Sequence, residues 1–359
     1  MARNLIGKNI VIGSFGESHG VGIGVFIDGF PANFSVDIEK IQFALNRRKP
    51  GQNQYTTSRN ESDDFQVMSG IFENKTTGSP IVFFIPNTDN KSKDYDNLKN
   101  VYRPGHADAT YDIKYGHRDH RGGGRSSARI TAGWVAAGAL AMQYLEQQNI
   151  QIRAWVQQVH TIKVPKHIDF PSIEQIDSSP VRCPDPTTSH EIEDFLSTLL
   201  ESGNTAGGVI HCSIHNLPAG IGEPIFGKLQ AIIGQYLLNI NAVKGIAFGD
   251  GFESTLKTGS ENNDRFISLK EQSVISSTNR SGGSIGGIST GMPIEVDIAF
   301  KPTSSIKSSQ DTINNKGEST TVNIDGRHDP CVLPRAVPIV ESMVAMAILD
   351  LFLENKIYE

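Results

Sequence analysis

Two spacings organise the hydrophobic and polar positions of the chain. Segments such as NIVIGSF, VGIGVFIDG, SPIVFFIPN, GGVIHCSIHNLP, AVKGIAFGDGF and MPIEVDIAFKP are short, rich in β-branched or aromatic residues, and bounded by Gly, Pro or Asn. That combination predicts strands. Between them, apolar residues recur at helical spacing over 37–46, 126–147, 190–202, 224–239 and 336–355, which predicts helices. The order mixes α and β without the regular alternation of a Rossmann or barrel chain and shows no internal repeat, so the expected class is α+β.

Two of these helices differ from the others. SARITAGWVAAGALAMQYL carries Ala132, Gly133, Ala136, Ala137, Gly138 and Ala139 with few charges. Small residues let neighbouring backbones approach, which predicts a central position. VPIVESMVAMAILDLFL is apolar on most sides. Together they predict a helical layer enclosed by sheets. The longest apolar stretch is interrupted by Asp350 and falls short of a membrane span. The N-terminal apolar segment, broken by Lys8 and Asn9, is too short for a signal-peptide core. The segment NNKGESTTVN is polar and reads as a loop.

Composition narrows the classes of partner. The chain has 359 residues, 38% of them hydrophobic and 20% charged, with a net charge of −6. These values describe an ordinary globular protein whose acidic balance argues against a nucleic-acid or membrane surface. A basic cluster in such a chain is local and aimed at a small anion. Cys183, Cys212 and Cys331 lack a Cys-x-x-Cys pair, so neither disulfides nor a thiolate zinc site is expected, and a reducing cytoplasm fits.

Such a cluster is present. In GHRDHRGGGRSSAR, three consecutive glycines free the backbone to approach a ligand. Ser126 and Ser127 stand where an N-cap belongs, and Arg125 and Arg129 flank them, as in an anion site at a helix start. The run matches neither the P-loop nor the dinucleotide fingerprint. GESHG places Glu17 and His19 on a tight loop after a strand, where a histidine can serve as a general acid. YRPGHAD offers His106 beside Arg103, and NRRKPGQNQYTTSR offers Arg47, Arg48 and Lys49 before a Pro-Gly stop. NRSGGSIGGISTGMP, KPTSS and GRHDPCVLPRAVP gather glycines, hydroxyls and an Arg-His-Asp-Pro turn suited to a polar planar ligand and its phosphate. A metal-dependent phosphatase built on His106, Asp108, His117 and His120 is a rival reading, although the glycines beside HRDH argue against the helix that would bring His117 and His120 together. An RNA-binding module is a second rival, weakened by the short run, the lack of interleaved aromatics and the acidic chain.

Taken together, the motifs resemble the chorismate synthase family over almost the whole chain. GESHG followed by FIDGFP is similar to the family's first signature, GGGRSSAR with TAGWVAAGA to the second, and RHDPCVLPRAVPIVESM to the third, with RPGHAD and KPTSS between them in the family's order. The resemblance implies conversion of 5-enolpyruvylshikimate 3-phosphate to chorismate and phosphate, a 1,4-anti elimination that requires reduced FMN. It implies His19 as the acid serving the leaving phosphate, His106 as the group that protonates the reduced flavin, and Asp329 as a partner of the flavin nitrogen that removes the substrate proton. Arg125, Ser126, Ser127, Asn241, Ala242, Gly286, Lys301, Pro302, Thr303, Ser304, Ser305 and Arg327 would line the FMN site. Arg48, Arg103, Arg129 and Arg335 would hold substrate anions; Arg48 is also read in this family as part of a pyridine-nucleotide site. No metal is implied. The reductant is NADPH on the enzyme itself or an external flavin reductase. The implied fold is a single domain over 1–359, a β-α-β sandwich with central helices enclosed between antiparallel sheets, assembled as a cytoplasmic homotetramer. Gln54, Ile130, Trp134 and Phe26 depart from the usual family pattern without removing a catalytic group.

Overall fold

A computed structural model describes residues 4–56, 61–88, 98–165, 168–270, 273–324 and 329–356. The first sheet comprises β1 (Leu5–Ile6), β2 (Val11–Gly16), β3 (Gly22–Asp28), β4 (Gln66–Ser69) and, after the hairpin of β5 (Ile71–Phe72) and β6 (Lys75–Thr76), β7 (Ile81–Pro86). Its order is β1-β2-β3-β7-β4, every neighbour antiparallel. The second sheet has the order β11-β16-β10-β8-β9. It is built from β8 (Gln151–Val159), β9 (Ile162–Lys163), β10 (Gly208–His215), β11 (Val243–Phe248) and β16 (Ile294–Phe300), again all antiparallel. Three hairpins pair β12 (Phe266–Lys270) with β13 (Ser273–Ser276), β14 (Ser284–Ile285) with β15 (Ile288–Ser289), and β17 (Gln310–Ile313) with β18 (Ser319–Val322). Mixed helix and antiparallel sheet make the class α+β, as the sequence pattern predicts.

Strand periodicity explains which faces are covered. Ile210, Cys212 and Ile214 on β10 and Ile294, Val296 and Ile298 on β16 are fully buried, and Cys212 lies opposite both Val296 and Ala154. The helices are α1 (Ile38–Arg48), α2 (Asp108–Tyr115), α3 (Thr131–Gln147), α4 (Ile173–Asp177), α5 (Pro186–Ser202), α6 (Leu229–Leu237), α7 (Gly259–Asn262) and α8 (Leu333–Asn355). Helices α3 and α8 pack along each other; α3 lies against β3 and β7, and α8 against β8 and β10. Small residues make this contact possible: a Cβ on Gly138 would lie 2.2 Å from the Ser342 Cβ. Helix α8 is long and apolar enough to cross a membrane by length and composition, but 94% of its most apolar window is buried within the protein. Its Asp350 carboxylate accepts the backbone N–H groups of Lys8, Asn9 and Ile10, anchoring the start of the chain.

Several boundaries differ from the sequence pattern for local reasons. The helix predicted from 126 begins at Thr131, after 3-10 turns at Gly124–Ser126 and Ala128–Ile130. Ser126 Oγ donates to Gly123 O, and Ser127 Oγ accepts from the Arg129 N–H, so the two serines shape the turns instead of capping α3. Helix α5 starts earlier than predicted, at Pro186, because Asp185 caps it. Helix α6 covers only Leu229–Leu237, after a turn in which the Glu223 N–H reaches Gly227 O. The segment read as a polar loop contributes the turn after β17 and the strand β18, a hairpin held by backbone pairing. Strand β8 is absent from the predicted set: QIRAWVQQV alternates poorly, yet it pairs along the length of β10.

On β10, His211 bridges to β16 by hydrogen bonds from Nδ1 to Asp297 and from Nε2 to Glu295, both 2.7 Å. Burial alone would lower its pKa, but the bonds to Asp297 and Glu295 outweigh it and raise it to about 9. A raised value in the folded state gives stability that is complete below the unfolded value of about 6.5 and is lost as pH rises through the folded one. Denaturant titrations should therefore show stability falling between about pH 6.5 and about 9, and this decline should be absent in His211→Gln. Gly138→Ala should lower stability by about 1–3 kcal/mol through overpacking between α3 and α8, as read from urea midpoints.

Candidate active site

Helix α1 ends in two arginines, and both are buried, unlike a solvated basic helix end. Arg48 donates from Nε (3.1 Å) and Nη2 (2.6 Å) to Oδ2 of Asp63, which is 2% exposed. The other oxygen of Asp63 accepts from Arg129 Nη1, which also meets Glu61 at 2.5 Å. Arg129 leaves the 3-10 turn before α3 and is tied further to Asn87 Oδ1 and to Pro86 O at the end of β7. Burial pushes the Asp63 carboxyl upward, but Arg48 and Arg129 outweigh this and hold it below its ordinary value. Two like charges thus share one low-dielectric pocket through a common counter-ion.

Across the cavity, the loop 101–107 and the loop 301–305 are stitched together. Ser304 Oγ donates to Gly105 O at 3.0 Å, and Lys301 Nζ donates to Ser304 Oγ. His106 Nδ1 lies 3.1 Å from Pro104 O; a carbonyl only accepts, so Nδ1 carries the proton. Nε2 then accepts from Ser305 Oγ at 3.0 Å. Burial, aided by the positive charge of Arg103, lowers the His106 pKa and keeps the ring neutral near pH 7. Arg103 itself grips Asp108 through Nε and Nη2, both at 2.8 Å, and Arg118 adds a second cation on the same carboxylate.

The start of α8 and the turn before β11 complete the lining. Arg335 Nη1 donates to Asp329 Oδ2 at 2.6 Å, and its Nε reaches Arg48 O at 3.3 Å, which links the first and last parts of the chain. Asn241 Nδ2 donates to Ser126 O, whereas its Oδ1 is buried without a hydrogen-bond partner. Thr303 Oγ1 is likewise buried and unpaired. Ala242 holds a positive φ of 69°, a strained value for a residue with a Cβ. Unsatisfied buried polar atoms are uncommon in folded proteins, and these two are available to a ligand that enters the cavity.

These residues converge on a cavity of about 440 Å³ lined by Arg48, Arg103, His106, Ser126, Ser127, Arg129, Asn241, Ala242, Lys301, Thr303, Ser304, Ser305, Asp329 and Arg335. Four other sequence-predicted residues lie elsewhere. His19 sits against Gly122, where a Cβ would come within 2.4 Å of the imidazole; only a glycine fits there, at φ 140°. Gly122 and Arg125 line an adjoining cavity of about 480 Å³, which shares Ala107, Gly123 and Ser126 with the first. Arg125 is engaged by Ser14 and Gly16 carbonyls at the end of β2. Gly286 is in the turn between β14 and β15, and Pro302 does not face the cavity. Arg327 lies outside the described residues.

The chorismate synthase family model matches residues 10–353. The chain is 50% identical to "Chorismate synthase" of Christiangramia forsetii and 51% identical to that of Parabacteroides distasonis, each over 356 residues and 99% of both chains. A solved structure described as "Crystal Structure of Chorismate Synthase" is similar with a TM-score of 0.76 at 28% identity, covering 98% of this chain and 93% of the other. The chain belongs to the chorismate synthase family. Its activity is accordingly that of a chorismate synthase, a carbon–oxygen lyase of the shikimate pathway acting on a small phosphorylated substrate, and the family depends on reduced flavin. The phosphatase reading finds no support. Among the described residues no three His, Cys, Asp or Glu side chains are grouped to hold a metal, Asp108 is taken by two arginines, and residues 117–120 form no helix.

For a chorismate synthase, the charges that the motifs leave unmarked are as informative as those they single out. Glu61 and Asp63 lie in an unremarkable polar stretch, NESDD, and nothing in their spacing announces that they meet arginines from α1 and from the turn before α3. The one signal in the sequence is the local clustering of Arg118, Arg121, Arg125 and Arg129 in an acidic chain, which calls for counter-ions nearby. Asp63→Asn should lower stability by about 3–5 kcal/mol, the scale for breaking a buried ion pair. The sign of the pH dependence follows from the depressed value. Stability from Asp63 is complete above its unfolded pKa of about 4 and is lost as pH falls through the folded value, so the acid limb of an unfolding titration should flatten in the variant.

Proposed function

We propose that the 440 Å³ cavity binds 5-enolpyruvylshikimate 3-phosphate and reduced FMN side by side and carries out the 1,4-anti elimination that yields chorismate and phosphate. The observation that carries this reading is the convergence of Arg48, Arg129 and Arg335 on the same cavity as two buried polar atoms without partners. The substrate carries a phosphate and two carboxylates. Each guanidinium has five N–H donors, and a carboxylate takes only some of them, so arginines already oriented by Asp63 and Asp329 keep donors for the substrate.

Residues on the opposite wall fit FMN. Asn241 Oδ1 is an acceptor, Thr303 Oγ1 a hydroxyl, and Lys301 with the Ser304–Ser305 pair supplies a cation and further hydroxyls. Ser126, Ser127 and Ala242 shape the backbone beside them, and Arg125, Gly286, Pro302 and Arg327 are assigned to the same cofactor from the family pattern. When bound, reduced FMN supplies electron density that assists loss of the phosphate without net redox change. Asp329 steers a proton near the substrate, a role supported by its fixed bond to Arg335 on the cavity. His106 moves a proton at Nε2, exchanging the bond from Ser305 for a ligand contact. His19 serves the leaving phosphate from beside Gly122, which lines the adjoining cavity, while Arg103 acts on the substrate side through its fixed pairing with Asp108.

The same reading extends to the whole protein. It is one domain over 1–359 and a β-α-β sandwich, supported by the packing of α3 against the first sheet and of α8 against the second. It is a cytoplasmic homotetramer, supported by large apolar side chains left exposed at Phe226, Phe252, Leu256 and Leu269. Reduced FMN comes from an external flavin reductase or from NADPH bound near Arg48.

The deciding experiment is anaerobic. Protein, 5-enolpyruvylshikimate 3-phosphate and chemically reduced FMN should release chorismate and phosphate in equal amounts; phosphate alone, or neither product from folded protein, would refute the reading. An arm with oxidised FMN and NADPH shows whether an external reductase is needed. His106→Ala and His19→Ala should each cut turnover roughly 10²–10⁴-fold. Because Arg103 and burial lower the free His106, whereas bound anions favour its protonated form, the limb in the pH profile of kcat should lie at higher pH than that of kcat/KM. Coincident limbs would remove His106 from the proton path.

A further inference from the structure

Behind the cavity wall lies a buried charge network that none of the roles above uses. Arg182, 6% exposed, sits in the loop between α4 and α5 with φ at +56°, a left-handed value that a side-chain-bearing residue holds only when its surroundings require it. Its own carbonyl accepts from the Val156 N–H at 2.9 Å, fixing the loop on β8. The guanidinium then reaches the backbone at two distant points. Nη1 donates to Pro334 O, and Nη2 donates to Arg47 O at 2.8 Å. Pro334 immediately precedes Arg335, and Arg47 immediately precedes Arg48.

The rest of the network holds Arg182 in that position. Nε donates to Asp177 Oδ1 at 3.0 Å, and Nη2 also meets Gln52 Oε1 at 3.0 Å. Asp177 is shared with the Arg47 side chain, which pairs in turn with Glu341, 1% exposed on α8. The two arginines and two carboxylates balance in charge, as a buried network must. Arg182 does not line the 440 Å³ cavity, so it has no route to the reacting atoms except through its neighbours.

We propose that Arg182 is a positioning residue: by clamping the carbonyls before Arg48 and Arg335, it sets the spacing of the two guanidiniums that receive the substrate's anionic groups. The inference rests on the substrate site proposed above. A lysine in its place keeps the charge but, with a single nitrogen, cannot span both carbonyls and Asp177 in fork geometry. The clamp acts on the substrate arginines and not on the Asn241 and Thr303 side, so its loss separates substrate affinity from flavin affinity.

The test is a double-mutant cycle on the full-length protein. Binding of 5-enolpyruvylshikimate 3-phosphate is measured by calorimetry with oxidised FMN present, where no turnover occurs, and FMN affinity by fluorescence, both well below each variant's unfolding temperature. Arg182→Lys should weaken substrate binding roughly tenfold and leave FMN affinity within about twofold; in an Arg335→Gln background the same substitution should weaken it less than about threefold. Asp177→Asn, which leaves the guanidinium in place but removes its anchor, should give the same selective pattern at smaller size and serves if Arg182→Lys does not fold. Equal weakening of both ligands, an unchanged substrate affinity, or full additivity with Arg335→Gln overturns the inference. Wild-type protein that binds FMN but no substrate overturns instead the site reading beneath it.

Discussion

Arg48 and Arg129 come from separate parts of the chain and repel each other at the short range the cavity imposes. In a low-dielectric interior that repulsion and the loss of hydration would expel one of them unless a counter-ion stood between them. The Asp63 carboxylate stands there, one oxygen for each guanidinium. The end of α1, the turn before α3 and the end of the interior strand β7 at Pro86 are all connected through this group.

The same arrangement recurs at the other arginines of the site. Asp108 holds Arg103, Asp329 holds Arg335, and Asp177 with Glu341 holds Arg47 behind them. An arginine held by one carboxylate loses little further freedom when it meets a second anion, so the entropic loss falls on folding instead of on binding. The acidic balance of the chain is therefore compatible with a cationic cavity: several of its carboxylates are the fixed partners of the arginines that line it.

The two cradle walls differ in kind. The arginine wall is built on helix ends, α1 and α8, whose positions follow from core packing around α3. The opposite wall is built on loops, 101–107 and 301–305, joined by side-chain bonds from Ser304 and Ser305. Arg48 and Arg335 are held on helix ends, while Arg103, Lys301 and the neutral donors and acceptors that meet a planar ligand are held on loops that bond to each other. His106 belongs to the second wall, and its neutral state follows from that dry, positively charged setting.

Much of this is legible in local chemistry alone. Strands with β-branched runs, the small-residue helix α3 and the apolar helix α8 depend on short-range spacing, and their existence, though not their ends, follows from the residues themselves. Resemblance of whole stretches to a family, more than local chemistry, names Arg48, His106, Arg129, Asp329 and Arg335, and those five line one cavity, whereas His19, Arg125 and Gly286, named the same way, do not. The placement of α3's first turn is decided by serine hydroxyls that find partners in the turn itself, and β8 is decided by its pairing with β10. Asp63 and Glu341 are invisible along the chain because a counter-ion is defined by what it meets across separations of 15 to 294 residues, and Arg182 because the carbonyls it clamps lie 135 and 152 residues away; spacing carries no trace of either. The residue types and their short-range patterns determined which elements form and which side chains bear the chemistry; only the tertiary structure decided which charges face each other, since electrostatic pairing depends on distance in space and burial, neither of which is written along the chain.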